Sequence, residues 1–150
     1  MGLHYSNVVV LPGLVGTKSG VTRTGVELES TYSTTESPTE PTKVFETGGY
    51  SKLSLDILYT MGAAETSNSI EMKVESSPDR TNWYPLSIDT TVTQSTLTAR
   101  EWTFVGTNGA AATINVFLDI GYKYMRVSFK ETGVASAKGN VYCEATLNGL

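Results

Sequence analysis

One cysteine and one histidine stand in 150 residues, and these two scarcities remove most covalent and metal chemistry at once. A single thiol, Cys143, forms no intrachain disulfide, and zinc sites built on several thiolates are excluded. With His4 as the sole imidazole, a Ser-His or Cys-His pair has no base anywhere else in the chain. Cys143 falls in phase with Val141, Ala145 and Leu147, which marks it as a small core residue rather than a reactive thiol. Charge is sparse too. Only 17% of residues are charged, the net charge is -4 and the pI is near 5.0, so no surplus of Lys and Arg exists to neutralise phosphates, and direct nucleic-acid binding is not expected. No apolar run approaches the roughly 20 residues that cross a bilayer. The N-terminus lacks the basic flank and cleavage pattern of a secretory leader, so a soluble chain without a membrane partner is expected.

Glycine-rich phosphate loops and the strained serine elbow of hydrolases are also missing. The fifteen acidic residues mostly fall on polar strand faces, as Glu71 and Glu75 do beside Lys73. A solvated face accounts for them. Asp56, Asp79, Asp89 and Asp119 stand alone or near strand ends, without the spacing of a calcium loop. No catalytic residue, metal ligand or cofactor is assigned, and the chain is not expected to be an enzyme.

What the sequence does have is alternation at period two, which sends successive side chains to opposite faces of a strand. Val26 and Leu28 make a short run. Leu53, Leu55, Ile57 and Tyr59 make a second, and Ile70, Met72 and Val74 a third. Trp102 and Phe104, then Ile114, Val116, Leu118 and Ile120, flank a Gly106 to Gly109 turn and read as a hairpin. Met125, Val127 and Phe129 lead through a Gly133 to Gly139 connection to Val141, Cys143, Ala145 and Leu147, a second hairpin. The single helical candidate is a turn around Ser95 to Arg100. Short strands with Gly and Asn between them predict an all-β chain, an antiparallel β-sandwich of jelly-roll-like or Ig-like type.

Residues 30–42, STYSTTESPTEPT, hold no aliphatic side chain and read as an extended linker. They divide an N-terminal arm, 1–42 with its linker, from a sandwich domain at 43–150. The arm is apolar at Val8, Val9, Val10, Leu11, Leu14 and Val15, and leaving these in water is costly. Together with Tyr5 they form a candidate interface that either docks on a neighbour or supplies a first strand to its own sheet. Trp83 and Tyr84 complete the candidate interface. In an extended segment one of the two rings faces in and the other out.

The stretch Ser77-Pro78-Asp79-Arg80-Thr81-Asn82-Trp83-Tyr84-Pro85-Leu86 reads as a tight turn between two strands, with Trp83 closing the end of the core. It resembles a pattern of small β-rich structural proteins of tailed bacteriophages, in which a strand ends in Ser-x-Asp-Gly-Thr-x-Trp; Arg80 stands where that pattern has Gly. Tyr124-Met125-Arg126-Val127, followed by Thr132-Gly133, is similar to a strand and turn of the same proteins. The resemblance covers roughly residues 50–148. It implies a virion structural protein, made in the host cytoplasm, that decorates or cements the capsid by bridging subunits of the major capsid protein or other virion subunits. Copies of the chain on the particle would form a homo-oligomer. A neck or tail protein, or a receptor- or carbohydrate-binding sandwich, is the alternative.

Overall fold

The computed structural model describes residues 8–10, 25–37, 39–86, 101–105 and 111–148. Ten strands follow one another: β1 Val8–Val10, β2 Val26–Glu27, β3 Thr42–Glu46, β4 Lys52–Thr60, β5 Ser69–Ser77, β6 Tyr84–Pro85, β7 Glu101–Val105, β8 Ala111–Asp119, β9 Tyr124–Thr132 and β10 Asn140–Asn148. They form two antiparallel sheets. Sheet I runs β1-β10-β4-β8, with β2 beside β1 on the same edge of β10; sheet II runs β3-β9-β5, with β6 and β7 sharing the far edge of β5.

The period-two positions read from the sequence are the ones that meet between the sheets. Leu53, Leu55, Ile57 and Tyr59 of sheet I face Ile70, Met72, Val74, Met125, Val127 and Phe129 of sheet II, all of them buried. Val141, Cys143, Ala145 and Leu147 of β10 join the same core, as do Leu28 and Met61. Each such side chain contributes about 1.5–3 kcal/mol by leaving water, which makes this shared layer the main stabilising element. Trp102 and Phe104 pack against it from β7, half-buried.

Partner choice departs from the expectation. Neither C-terminal pair is a hairpin: β7 pairs with β5 in sheet II while β8 pairs with β4 in sheet I, and β9 and β10 also lie in opposite sheets. An apolar face tells a strand which side is dry, yet two strands that face each other across a core carry the same pattern as two that hydrogen-bond side by side. The β5–β6 pair, by contrast, is the hairpin its Pro-Asp turn suggests, with Ser76 opposite Tyr84. From β2 to β5 and from β7 to β10 each strand lies in the sheet opposite its predecessor, while β1–β2 and β5–β7 stay within one sheet, and the resulting order is that of a double-sheet jelly roll.

The linker is tied to the sandwich at its two ends, while Glu29 to Thr31, Thr34, Thr35 and Thr39 between them are exposed. Leu28 N–H donates to Gly139 C=O (2.9 Å), Glu131 N–H to Glu29 C=O (2.8 Å) and Phe129 N–H to Pro41 C=O (2.9 Å). Val26 and Leu28 are in the core. Val8–Val10 pairs with Glu144 to Thr146 of β10, so this part of the arm is an edge strand of its own sheet. Tyr5, Leu11, Leu14, Val15, His4, Asp89 and the Ser95 to Arg100 turn lie outside the described residues.

The solvated-face account of the acids also needs correction. Glu65, Glu75, Glu131 and Glu144 are buried, each with a partner in hydrogen-bond reach. Glu75 is held by Arg126 at 2.6 Å, and Glu71 by Lys130 at 2.8 Å across the outer face of sheet II. A buried carboxylate persists only when its lone pairs are occupied; for Glu65 and Glu75 the groups that occupy them come from distant parts of the chain, while Glu144 is met by the Tyr142 hydroxyl two residues before it.

Candidate functional site

Three connections meet at one end of the sandwich: residues 47–51 between β3 and β4, 78–83 between β5 and β6, and 120–123 between β8 and β9. The first and third are tied together. Thr47, itself buried, donates its N–H to Lys123 C=O at 2.8 Å and its hydroxyl to the same oxygen at 2.9 Å, while Ile120 N–H donates to Ser51 C=O at 3.0 Å. Gly48 and Gly49 follow with φ of +60° and +86°, a left-handed pair that a side chain would strain. This turn delivers Tyr50 to the core margin, half-buried.

The second connection is organised by Asp79. One carboxylate oxygen accepts the N–H groups of Thr81 (2.9 Å) and Asn82 (2.8 Å), and the other accepts the Asn82 amide at 2.7 Å. These donors, the backbone ones first, hold the Asp79 carboxyl far below the usual carboxylate range. Arg80 sits at φ +63°, the left-handed region that favours glycine, at the position where the resembling pattern has Gly. Its guanidinium lies 5.6 Å from the Tyr124 ring centre and 3.9 Å from Glu36, contacts that a glycine would not make.

Trp83 and Tyr84 divide as expected, although Trp83 caps a charge rather than the apolar core. Its ring lies 4.4 Å from the Arg126 guanidinium, which is fixed in turn by Glu75, so a cation–π contact replaces core packing. Tyr84 points away, 45% exposed, and meets Tyr122, 47% exposed, with ring centres 5.9 Å apart and planes tilted by 44°. Tyr122 also borders an open cleft of about 670 Å³ lined by Glu46 to Tyr50, Pro78 and Ile120 to Lys123. Lys123 bridges to Glu46 at 3.3 Å and lies over Tyr124 at 5.0 Å.

The end of the sandwich therefore offers tyrosine faces, phenol hydroxyls, glycine backbone and the Lys123–Glu46 pair, on two loops tied to each other and a third braced by Asp79. Such a surface recognises by stacking and hydrogen bonding. Tyr50 and Tyr122 belong to it as much as Trp83 and Tyr84, and nothing beside them in the chain sets them apart: their meeting depends on two connections about 70 residues apart lying at the same end. Val8–Val10, the other described part of the expected interface, lies in sheet I, away from the β5–β6 hairpin of sheet II. Cys143 is buried, and burial pushes its thiol well above the ordinary range. Among the described residues no three His, Cys, Asp or Glu side chains gather in a way that holds a metal ion. Compared with known protein families, curated proteins and solved structures, the chain finds no match.

Proposed function

We propose that this chain is a structural protein of a phage particle, an adhesion module that engages neighbouring virion subunits, the coat lattice first among them, through its tyrosine-bearing loop end. The observation that carries the reading is the exposed Tyr84–Tyr122 pair on braced loops. Tyrosine buries a large rigid area at small entropic cost and keeps a hydroxyl for water or a partner, which is why it is enriched where proteins meet. The sequence resemblance around Asp79 and Trp83 supports the virion setting. The jelly-roll order adds an analogy of architecture, since viral capsid and lectin domains both use it. The mechanism is non-covalent and not enzymatic: a protein that binds only the mature lattice stabilises that lattice by mass action, the more so when copies bridge several subunits.

Immunogold microscopy of intact particles of the virus that encodes the chain tests this directly. Gold spread over the head is the expected result, with reduced loading of a Tyr84→Ala, Tyr122→Ala variant; unlabelled particles would overturn the proposal. Gold confined to the neck or tail would move the partner from the coat lattice to a connector or fibre subunit.

The cleft favours a second reading. Two tyrosine rings, Tyr50 and Tyr122, border a space within the usual size of a small-ligand pocket beside Gly48 and Gly49, an arrangement that suits a sugar ring. Glycan-array binding that disappears in Tyr122→Ala would establish it in place of subunit adhesion.

A further inference from the structure

A strand at the edge of a sheet presents unpaired N–H and C=O groups, and most edges of this sandwich are short, broken or charged, as protected edges are. One edge of sheet I is divided between Val8–Val10 and Val26–Glu27. In sheet II, β3 has five residues including Lys43 and Glu46, β6 has two and β7 five. The β8 edge differs in every respect. Its nine residues, AATINVFLD, contain no proline and one charge, Asp119 at the very end, which already faces Lys52. Among the described residues β8 pairs with β4 alone.

The direction of its backbone groups follows from one hydrogen bond. Ile120 N–H donates to Ser51 C=O, one step past the Asp119–Lys52 pair. Bonded and non-bonded pairs alternate along an antiparallel ladder, so Ile114, Val116 and Leu118 bond to β4, while Asn115, Phe117 and Asp119 aim their N–H and C=O groups at the open edge. Phe117 is 79% exposed, the most exposed large hydrophobic side chain among the described residues. Beneath it, Val116 and Leu118 keep 8% and 9% exposure, whereas the inward apolar residues of β4, β5 and β9 keep no more than 1%. The core is covered less completely under this edge than under the central strands.

We propose that the β8 edge docks a second copy of this chain, β8 against β8, antiparallel about a twofold axis through Asn115. This register is the one that uses the whole strand, and it places only edge-facing residues in bonded pairs: Asn115 with Asn115, Phe117 with Thr113, Asp119 with Ala111. The one charge of the strand never meets its like, which is the self-complementarity a twofold contact requires. The two copies of sheet I then continue as one sheet with both cores on the same side. Ile114 of one copy comes beside Val116 of the other and covers apolar surface that this edge leaves partly open. The pairing holds whatever the tyrosine end binds.

The test is a cysteine placed on the axis. Bonded antiparallel partners have Cα atoms about 5.5 Å apart, within disulfide range, and Cys143 is buried. Asn115→Cys is expected to give a covalent dimer under mild oxidation, while Thr103→Cys, an exposed control on sheet II, is not. Sedimentation equilibrium of the unaltered chain is expected to give the mass of two copies. Asn115→Pro removes an edge N–H that the β4 pairing does not use, and Phe117→Lys adds a charge to the strand; both are expected to give the mass of one copy with an unchanged far-UV circular dichroism spectrum. If the proline variant unfolds, the lysine variant decides alone. A single-copy mass for the unaltered chain at every concentration, a dimer that survives Phe117→Lys, or equal cross-linking of the two cysteine variants would overturn the proposal.

Discussion

The two ends of the sandwich are built from the same kind of material, polar loops between strands, and they dispose of their polar groups in opposite ways. At one end, loops 61–68 and 133–139 are fastened by buried carboxylates. Glu65 accepts the N–H groups of Ala135 (3.0 Å), Ser136 (2.6 Å) and Ala137 (2.9 Å), and Glu131 accepts Gly139 N–H (2.7 Å), the Tyr59 hydroxyl (2.5 Å) and the Asn68 amide (3.2 Å). Burial, with the bond to Glu131 second, pushes the Tyr59 phenol far above its usual range and keeps it a donor. At the other end Thr47 and Asp79 brace the backbone but leave Tyr84 and Tyr122 in solvent. One loop end spends its hydrogen bonds internally; the other is braced and still presents aromatic faces to solvent.

That contrast can be broken by substitution, the largest effect coming from the carboxylate-fastened end. Glu131→Ala leaves two or three buried donors without an acceptor, at about 1–3 kcal/mol each, and is expected to lower the unfolding free energy in urea by about 3–5 kcal/mol. Gly62→Ala follows. A Cβ there would stand 2.0 Å from Ala137 C=O, and overpacking of this kind costs about 1–3 kcal/mol by the same measurement. Glu65 gives a pH signature. The backbone N–H groups of Ala135, Ala137 and Ser136 lower its pKa from 4.5 to about 2. The folded pKa is depressed, so the stabilisation is complete above pH 4.5 and is lost as pH falls toward 2. The urea midpoint of Glu65→Gln is expected to lie below that of the unaltered chain at neutral pH, with the gap closing across that window; a constant gap would separate the latch from its charge. The smallest change belongs to the tyrosine end, where Tyr84→Ala and Tyr122→Ala are expected to shift stability by no more than about 0.5 kcal/mol. A loss of several kcal/mol there would make the tyrosines structural and erase the contrast.

The sequence is legible where one residue's environment follows from its neighbours. Leu53 to Tyr59 and Met125 to Phe129 announce their dry faces by alternation, and Pro78-Asp79 announces its hairpin. The left-handed backbone of Arg80 was not legible, because an arginine gives no local sign of a positive φ. Strand partners were not either, because Val116 of β8 and Phe104 of β7 carry the same apolar code whether they pair or face each other. The buried acids were opaque for a related reason. Nothing beside Glu65 in the chain says that its amide partners lie about 70 residues away, and Glu75 looks solvated until β9 brings Arg126 against it. The tyrosine end was half visible: Trp83 and Tyr84 stood out as neighbours, while Tyr50 and Tyr122 needed two connections to lie at the same end.

The central place of β10 has a consequence for synthesis. This strand pairs with β4 on one side and with β1 and β2 on the other, so sheet I has no middle until residues 140–148 have left the ribosome. Until then β1 and β2 have no partner and β4 has β8 alone, which leaves apolar faces and open edges exposed. Folding of this kind, dominated by pairings far apart in the chain, is intrinsically slow and prone to association with other nascent chains. Ribosome-bound chains halted before Asn140 should therefore be protease-sensitive along β4, however complete the rest of their sequence.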